Sequence, residues 1–278
     1  MAKCPYCGES AGVFRKQHDE CAKAYAKAQD RVRATARAAL TEGGSLDDLQ
    51  DRLRAEAAQG RLPEPSFRNL LVSTWEDALE AALDDGILTD QEEEALSGFI
   101  EATGLEQEEL NRRNGLQRMV VASVLRSLTA GDLPQRCKVD GAVPFNLQRS
   151  ETLVWVFPNT TLYEERTRRQ YVGGYSGVSV RIARGLYYRT GAFKGHPVDT
   201  SFLQRIDSGA LGLTDKHLYF HGGAKGFRLP YKKIASFDAH EDGITVQKEA
   251  VSAKPLILQT GDGWSTYNLV MNLAQRGQ

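Results

Sequence analysis

Residues 213–220, Leu213-Thr214-Asp215-Lys216-His217-Leu218-Tyr219-Phe220, are followed by Gly222-Gly223 and then by Phe227-Arg228-Leu229-Pro230-Tyr231-Lys232-Lys233-Ile234. Asp242-Gly243-Ile244-Thr245-Val246 comes next. Apolar residues recur at every second position: Leu218 and Phe220, Phe227 and Leu229, Ile244 and Val246. A period of two belongs to strands with one buried face, and a glycine pair between two such runs predicts a hairpin. The pattern extends outward to Leu256 and Leu258 on one side, and to Val178, Val180 and Ile182 on the other. It begins with the continuous apolar run 153–157. At least seven short strands are expected, followed by an amphipathic helix from about Trp264 to Gln275. That order fits a barrel-like sheet closed by a terminal helix.

Upstream of Gly131 the period changes to 3.6. Cys21, Tyr25, Ala28, Val32, Ala36 and Leu40 form one stripe of a long helix whose other faces carry Lys23, Lys27, Arg31, Arg33 and Arg37. Gly43-Gly44-Ser45 breaks it, and Ser45 is placed to cap a second helix through about Gln59. Leu62-Pro63-Glu64-Pro65 reads as an extended linker, since a proline disfavours helical geometry in the residue before it. A helix then runs from Ser66 to Gly86, another is capped by Thr89 with Glu92 as its box partner and ends at Gly104, and a last one covers roughly 107–129. The expected organisation is residues 1–40, 41–65, 66–130 and 147–278, an α+β multidomain chain.

The chain has 278 residues, enough for about two domains, and 41% of them are hydrophobic. Its net charge of −1 hides a division. Residues 1–40 carry eight Lys/Arg against four Asp/Glu, 41–110 carry four against nineteen, and 111–278 carry twenty-three against thirteen. Blocks of alternating sign either dock on one another, face different partners, or are solvated surfaces. No run approaches the roughly 18 apolar residues of a membrane span, and Met1-Ala2-Lys3-Cys4-Pro5 lacks the apolar core of a secretory signal. The expected location is the cytoplasm, with peripheral contact at the inner membrane.

Three of the four cysteines and one histidine form Cys4-x2-Cys7-x10-His18-x2-Cys21. In Cys4-Pro5-Tyr6-Cys7-Gly8 a tight turn aims two thiolates at one point, while His18 and Cys21 share one helix face. Four soft or borderline ligands with no open position describe a structural zinc site rather than a catalytic one. Cys137 reads as a small core residue, not a fifth ligand. The segment resembles small C2HC zinc fingers over residues 4–21, with a shorter final spacing than the familiar C2H2 finger.

Asp85-Gly86-Ile87-Leu88-Thr89-Asp90-Gln91-Glu92 has the second half of a calcium-binding EF-hand loop but not the first: Ala81 and Leu83 stand where oxygen ligands belong. A tight turn before a capped helix is the better account. The same junction resembles TerB-like helical domains of bacterial stress-response proteins, a likeness spanning about 66–130. In the C-terminal half, "Thr-x-x-x-Leu-x-Phe" at 214–220, "Pro-Tyr-x-x-Ile" at 230–234 and "Gly-Ile" at 243–244 resemble bacterial PH-like and GRAM-like domains. That resemblance implies a β-barrel capped by a C-terminal helix, acting as a binding module for lipid headgroups, membranes or peptides.

Arg166, Arg168, Arg169, Arg181 and Arg184, with Arg189 and Lys194, surround the glycine-rich stretch Gly173-Gly174-Tyr175-Ser176-Gly177. Bare amides at Gly173 and Gly174 suit an anion nest, although the stretch is followed by a strand and not by the helix of a nucleotide-binding loop. An anionic headgroup, an acidic protein surface and a merely wet hairpin all fit. None of His196, His217, His221 or His240 stands in a nucleophile signature. The expectation is a non-enzymatic bacterial adaptor or scaffold with structural zinc, docking through its PH-like part on an anionic membrane or a protein. The alternative is a nucleic-acid-binding protein that uses the zinc finger and the adjoining basic helix.

Overall fold

The computed structural model describes residues 2–12, 15–41, 44–84, 86–134, 144–183, 186–250 and 253–276, with side chains described outside 167–200. The chain forms two compact units, Met1–Arg136 and Cys137–Gln278. The first is helical and the second is an antiparallel sheet with one helix, an α+β arrangement.

In the first unit, α1 (Asp19–Ala39) buries Ala28, Val32, Ala36 and Ala39. These small side chains allow close packing by α2 (Leu49–Gln59) and α3 (Glu64–Ala82). At the end of α2 the approach is so tight that a Cβ on Gly60 would lie 2.4 Å from the Ala28 Cβ. Ser45 does not cap α2: its hydroxyl accepts from the Asp47 N–H at 3.3 Å, and the helix begins four residues later. Nor is 62–65 an extended linker. Helix α3 starts at Glu64 with Pro65 in its first turn, where the missing N–H has no intrahelical partner to lose.

Thr89 caps α4 (Asp90–Thr103) as expected, with the reciprocal bonds to Glu92 both formed, and Gly104 ends it at φ 62°. The last expected helix is two, α5 (Gln107–Leu110) and α6 (Gly115–Thr129), separated by Asn114 at φ 59°. The break lets Gly115 lie under the Trp75 ring, where a Cβ would come within 2.9 Å of Cζ3.

The second unit has strands β1 (Leu153–Ala183), β2 (Leu186–Thr214), β3 (His217–Gly222), β4 (Gly226–Pro230), β5 (Ile234–His240), β6 (Gly243–Lys248) and β7 (Leu256–Gln259). Their order is β4-β3-β2-β1-β7-β6-β5, antiparallel throughout. Among the described residues β4 and β5 do not pair, so the ladder is open between them. Helix α7 (Gly263–Arg276) packs on β5 and β6 and buries Leu269, Val270 and Leu273, and Leu211, Leu218, Ile244 and Leu258 are among the buried residues of the strands. Gly222 and Gly223 lie in the β3–β4 hairpin, as their spacing predicts. Tyr219 departs from simple alternation. It is buried, because Phe145 covers that face with ring centroids 5.7 Å apart.

Two strands are far longer than the short runs expected. The remaining strands reach only part of this hairpin: β7 pairs with 161–164 of β1, and β3 with 209–213 of β2. Beyond those positions β1 and β2 continue as a two-stranded ribbon to the pair Ala183 and Leu186.

Candidate metal centre and basic ribbon

The four ligands picked out by spacing come together. One donor atom from each of Cys4, Cys7, His18 and Cys21 lies within 4.8 Å of the others, a group that could hold a metal ion. Cys7 Sγ is 3.3 Å and Cys21 Sγ 3.8 Å from His18 Nδ1. Bonds of about 2.3 Å to sulfur and about 2.0 Å to nitrogen give tetrahedral ligand separations of about this size.

Local structure explains the convergence. The Cys4–Gly8 turn closes with Gly8 N–H donating to the Cys4 carbonyl at 2.9 Å, and Gly8 adopts φ 76°. The Cys4 N–H donates to the Glu9 carbonyl at 2.7 Å and a bridge joins Lys3 to Ser10, making a small knuckle. His18 is the N-cap of α1, and Cys21 lies in its first turn. The rings of Tyr6 and Tyr25, 4.7 Å apart, pack knuckle on helix.

Sequence spacing did not reveal Ser10. Its carbonyl lies 3.0 Å from His18 Nε2, so Nε2 carries the proton and Nδ1 is left as the ligand. Burial acts to push the Cys4 thiol up, but N–H bonds from His18, Cys7 and Tyr6 hold it down at about 6. The Cys21 thiol is pushed up to about 11 by burial and by Cys7 and Cys4. Thiolates crowded at one point repel, and a cation at their centre relieves that repulsion.

The basic residues of α1 (Lys23, Lys27, Arg31, Arg33 and Arg37) are all exposed. Arg31 donates to the Gln59 side chain at 2.5 Å, and Arg37 stands 3.4 Å from Asp77. At the junction before α4 Glu92 is committed locally: its Oε2 accepts from the Thr89 N–H at 2.9 Å and hydroxyl at 2.8 Å.

The arginine cluster expected from sequence is redistributed. Gly173 and Gly174 are not in a loop: they pair with Gly195 and Lys194 inside the ribbon. Successive strand amides point to opposite edges, so these two do not converge into a nest. No register shift interrupts 163–181, which puts positions 166, 168 and 194 on one face and 169, 181 and 189 on the other. Fifteen residues separate Arg166 from Arg181, a span of about 50 Å at the rise of a strand. Arg184 and Cys137 lie outside the described residues.

The root of the ribbon is clamped. Glu164 takes the Lys225 ammonium at 2.5 Å and stands 3.4 Å from the Arg166 guanidinium. The Lys225 hydrogen bond is foremost in holding the Glu164 carboxyl below its usual range. Across the strand pair, Asp207 Oδ2 accepts the N–H groups of Ala224 and Lys225 at 2.7 Å each. Phe202 and Leu203, near the root on β2, are exposed.

Among the described residues no helix is long and apolar enough to cross a membrane. No protein-family model, curated protein or solved structure matches the chain.

Proposed function

We propose that this protein is a non-enzymatic adaptor: a zinc-stapled helical unit joined to a PH-like β unit that docks, through its arginine-bearing ribbon, on an anionic membrane surface. The observation that carries the reading is the ribbon. Residues 165–207 hold eight Lys/Arg against three Asp/Glu on two strands that project past the sheet. A narrow, positively charged element of two strands suits an extended anionic surface better than it suits a small substrate. The strand order and the terminal helix packed on β5 and β6 support the PH-like assignment. The donor set of three thiols and one imidazole supports zinc in a closed, structural site.

Flotation of the full chain with phosphatidylcholine vesicles, with and without phosphatidylserine, tests it. Binding that requires the anionic lipid, weakens with salt and falls when Arg166, Arg168 and Arg169 are changed together to Ala is the expected result. Absence of flotation with anionic vesicles at low salt, or flotation indifferent to the triple change, overturns it. A protein partner then becomes the reading to test, by mass spectrometry of material co-purifying with the chain.

A further inference from the structure

The β2–β3 turn carries a recess that plays no part in the ribbon reading. A cavity of about 320 Å³ opens there, lined by Gln148, Lys216, His217, Pro230, Tyr231 and Lys232. That is the small end of the range for ligand pockets. No lining residue is acidic. The turn beneath it is firmly held. Thr214 Oγ1 accepts the N–H groups of Lys216 and His217 at 3.2 and 2.9 Å, and the Tyr231 hydroxyl donates to the Thr214 carbonyl at 3.0 Å. Asp215 Oδ1 accepts the Thr152 N–H at 2.9 Å.

Three basic side chains line this recess. The Lys216 ammonium donates to the Ser150 carbonyl at 2.7 Å and hydroxyl at 2.8 Å, which fixes it and leaves one of its three N–H bonds free. Lys232 is exposed and pairs with no carboxylate among the described residues. The His217 ring is anchored through Nδ1 to Glu151, whose side chain is fully buried. A carboxylate on Nδ1 fixes the tautomer with Nδ1–H, so Nε2 presents a lone pair in the neutral ring. No described residue hydrogen-bonds Nε2.

We propose that this recess binds a phosphomonoester group, with Lys216 and Lys232 taking its unprotonated oxygens and His217 Nε2 taking the proton of its P–OH. Two ammonium groups select an anion. A neutral imidazole lone pair selects one that keeps an ionisable proton near neutrality, which a phosphomonoester does and a sulfate does not.

The test uses the full chain at neutral pH, following the His217 imidazole signals by NMR while inorganic phosphate is added. A saturable shift at His217 is expected, with sulfate binding more weakly. Lys232→Ala, an exposed change that leaves the fold intact by circular dichroism, should weaken phosphate about tenfold or more, the effect of one charge-assisted hydrogen bond. The triple Arg166, Arg168 and Arg169→Ala change should leave phosphate binding unaltered, so this site and the ribbon stand or fall separately. A second arm identifies the source of the phosphate. Lys232-dependent flotation with vesicles containing phosphatidic acid assigns the group to a lipid headgroup, and a phosphate shift without it assigns a soluble phosphomonoester. No shift at His217, equal affinity for sulfate, or an unchanged affinity in Lys232→Ala overturns the proposal.

Discussion

The indole N–H of Trp75 donates to the main-chain carbonyl of Leu96 at 3.1 Å, a bond made wholly inside the helical unit between α3 and α4. Trp75 is fully buried, and its ring is the surface on which Gly115 begins α6. One side chain therefore joins three helices. Trp75→Phe leaves the Leu96 carbonyl without that donor and should cost about 1–3 kcal/mol. Trp75→Ala adds a cavity and should cost about 3–5 kcal/mol. Chemical denaturation followed by circular dichroism measures both, and equal costs would contradict the role given to the hydrogen bond.

Metal removal should act locally. A chelator should abolish hydrogen-exchange protection in residues 2–12 and 15–21 while the rest of α1 and the sheet retain theirs. The knuckle has little core besides Cys4 and Ala11, and a bound structural ion contributes on the order of 10 kcal/mol to ordering such a segment. Cys7→Ser should mimic the chelator. Protection that survives both treatments would show that the knuckle orders itself without an ion.

Acid should weaken the helical unit through one carboxyl in particular. The Arg68 side-chain hydrogen bonds hold Glu109 down at about 2, against burial, which acts upward. Arg68 Nε donates to Glu109 Oε1 at 2.7 Å, and a second bond links Nη2 to Oε2. In the unfolded chain a glutamate titrates near about 4.3. The stabilisation is thus complete above that range and is lost as pH falls from about 4.3 through about 2. Unfolding midpoints measured across this window should decline, and Glu109→Gln should flatten the decline.

Tyr219 donates its hydroxyl to Glu151 Oε2 at 2.5 Å, and the Gln148 N–H donates to the same oxygen at 2.7 Å. Tyr219→Phe should cost about 1.5–3 kcal/mol, the range for a hydrogen bond to a charged group. It should also loosen the 144–152 segment, since Tyr219 and His217 tie Glu151 to β3 alongside the Phe145–Tyr219 ring contact. Hydrogen exchange at 144–152, unchanged in the variant, would contradict this.

Features set by near neighbours in sequence were legible. The clustering of Cys4, Cys7, His18 and Cys21, the Thr89–Glu92 box, the Gly104 stop and the Gly222-Gly223 turn all depend on spacings of less than twenty residues, and all are found where spacing puts them. The failures have a common cause in contacts across long separations. The break at Asn114 answers to Trp75, and the burial of Tyr219 to Phe145. The outer ends of β1 and β2 meet across 61 residues, where Leu153 pairs with Thr214. Proximity in sequence also misled: seven basic residues between 166 and 194 suggested one patch, and the strand period divides the six described positions among them between two faces. A signal for the early start of α3 was present in Pro65, a residue favoured in the first helical turn as much as in linkers.

The ribbon that leaves the sheet has a liability written into its backbone. Among the described residues no third strand pairs with 166–183 or with 186–208, so each outer margin offers a row of unsatisfied amide and carbonyl groups to any other extended chain. Two copies of such a ribbon would stack readily were they neutral. The net positive charge of residues 165–207 sets like against like in any such stacking, and charge on an open strand edge opposes self-aggregation in general.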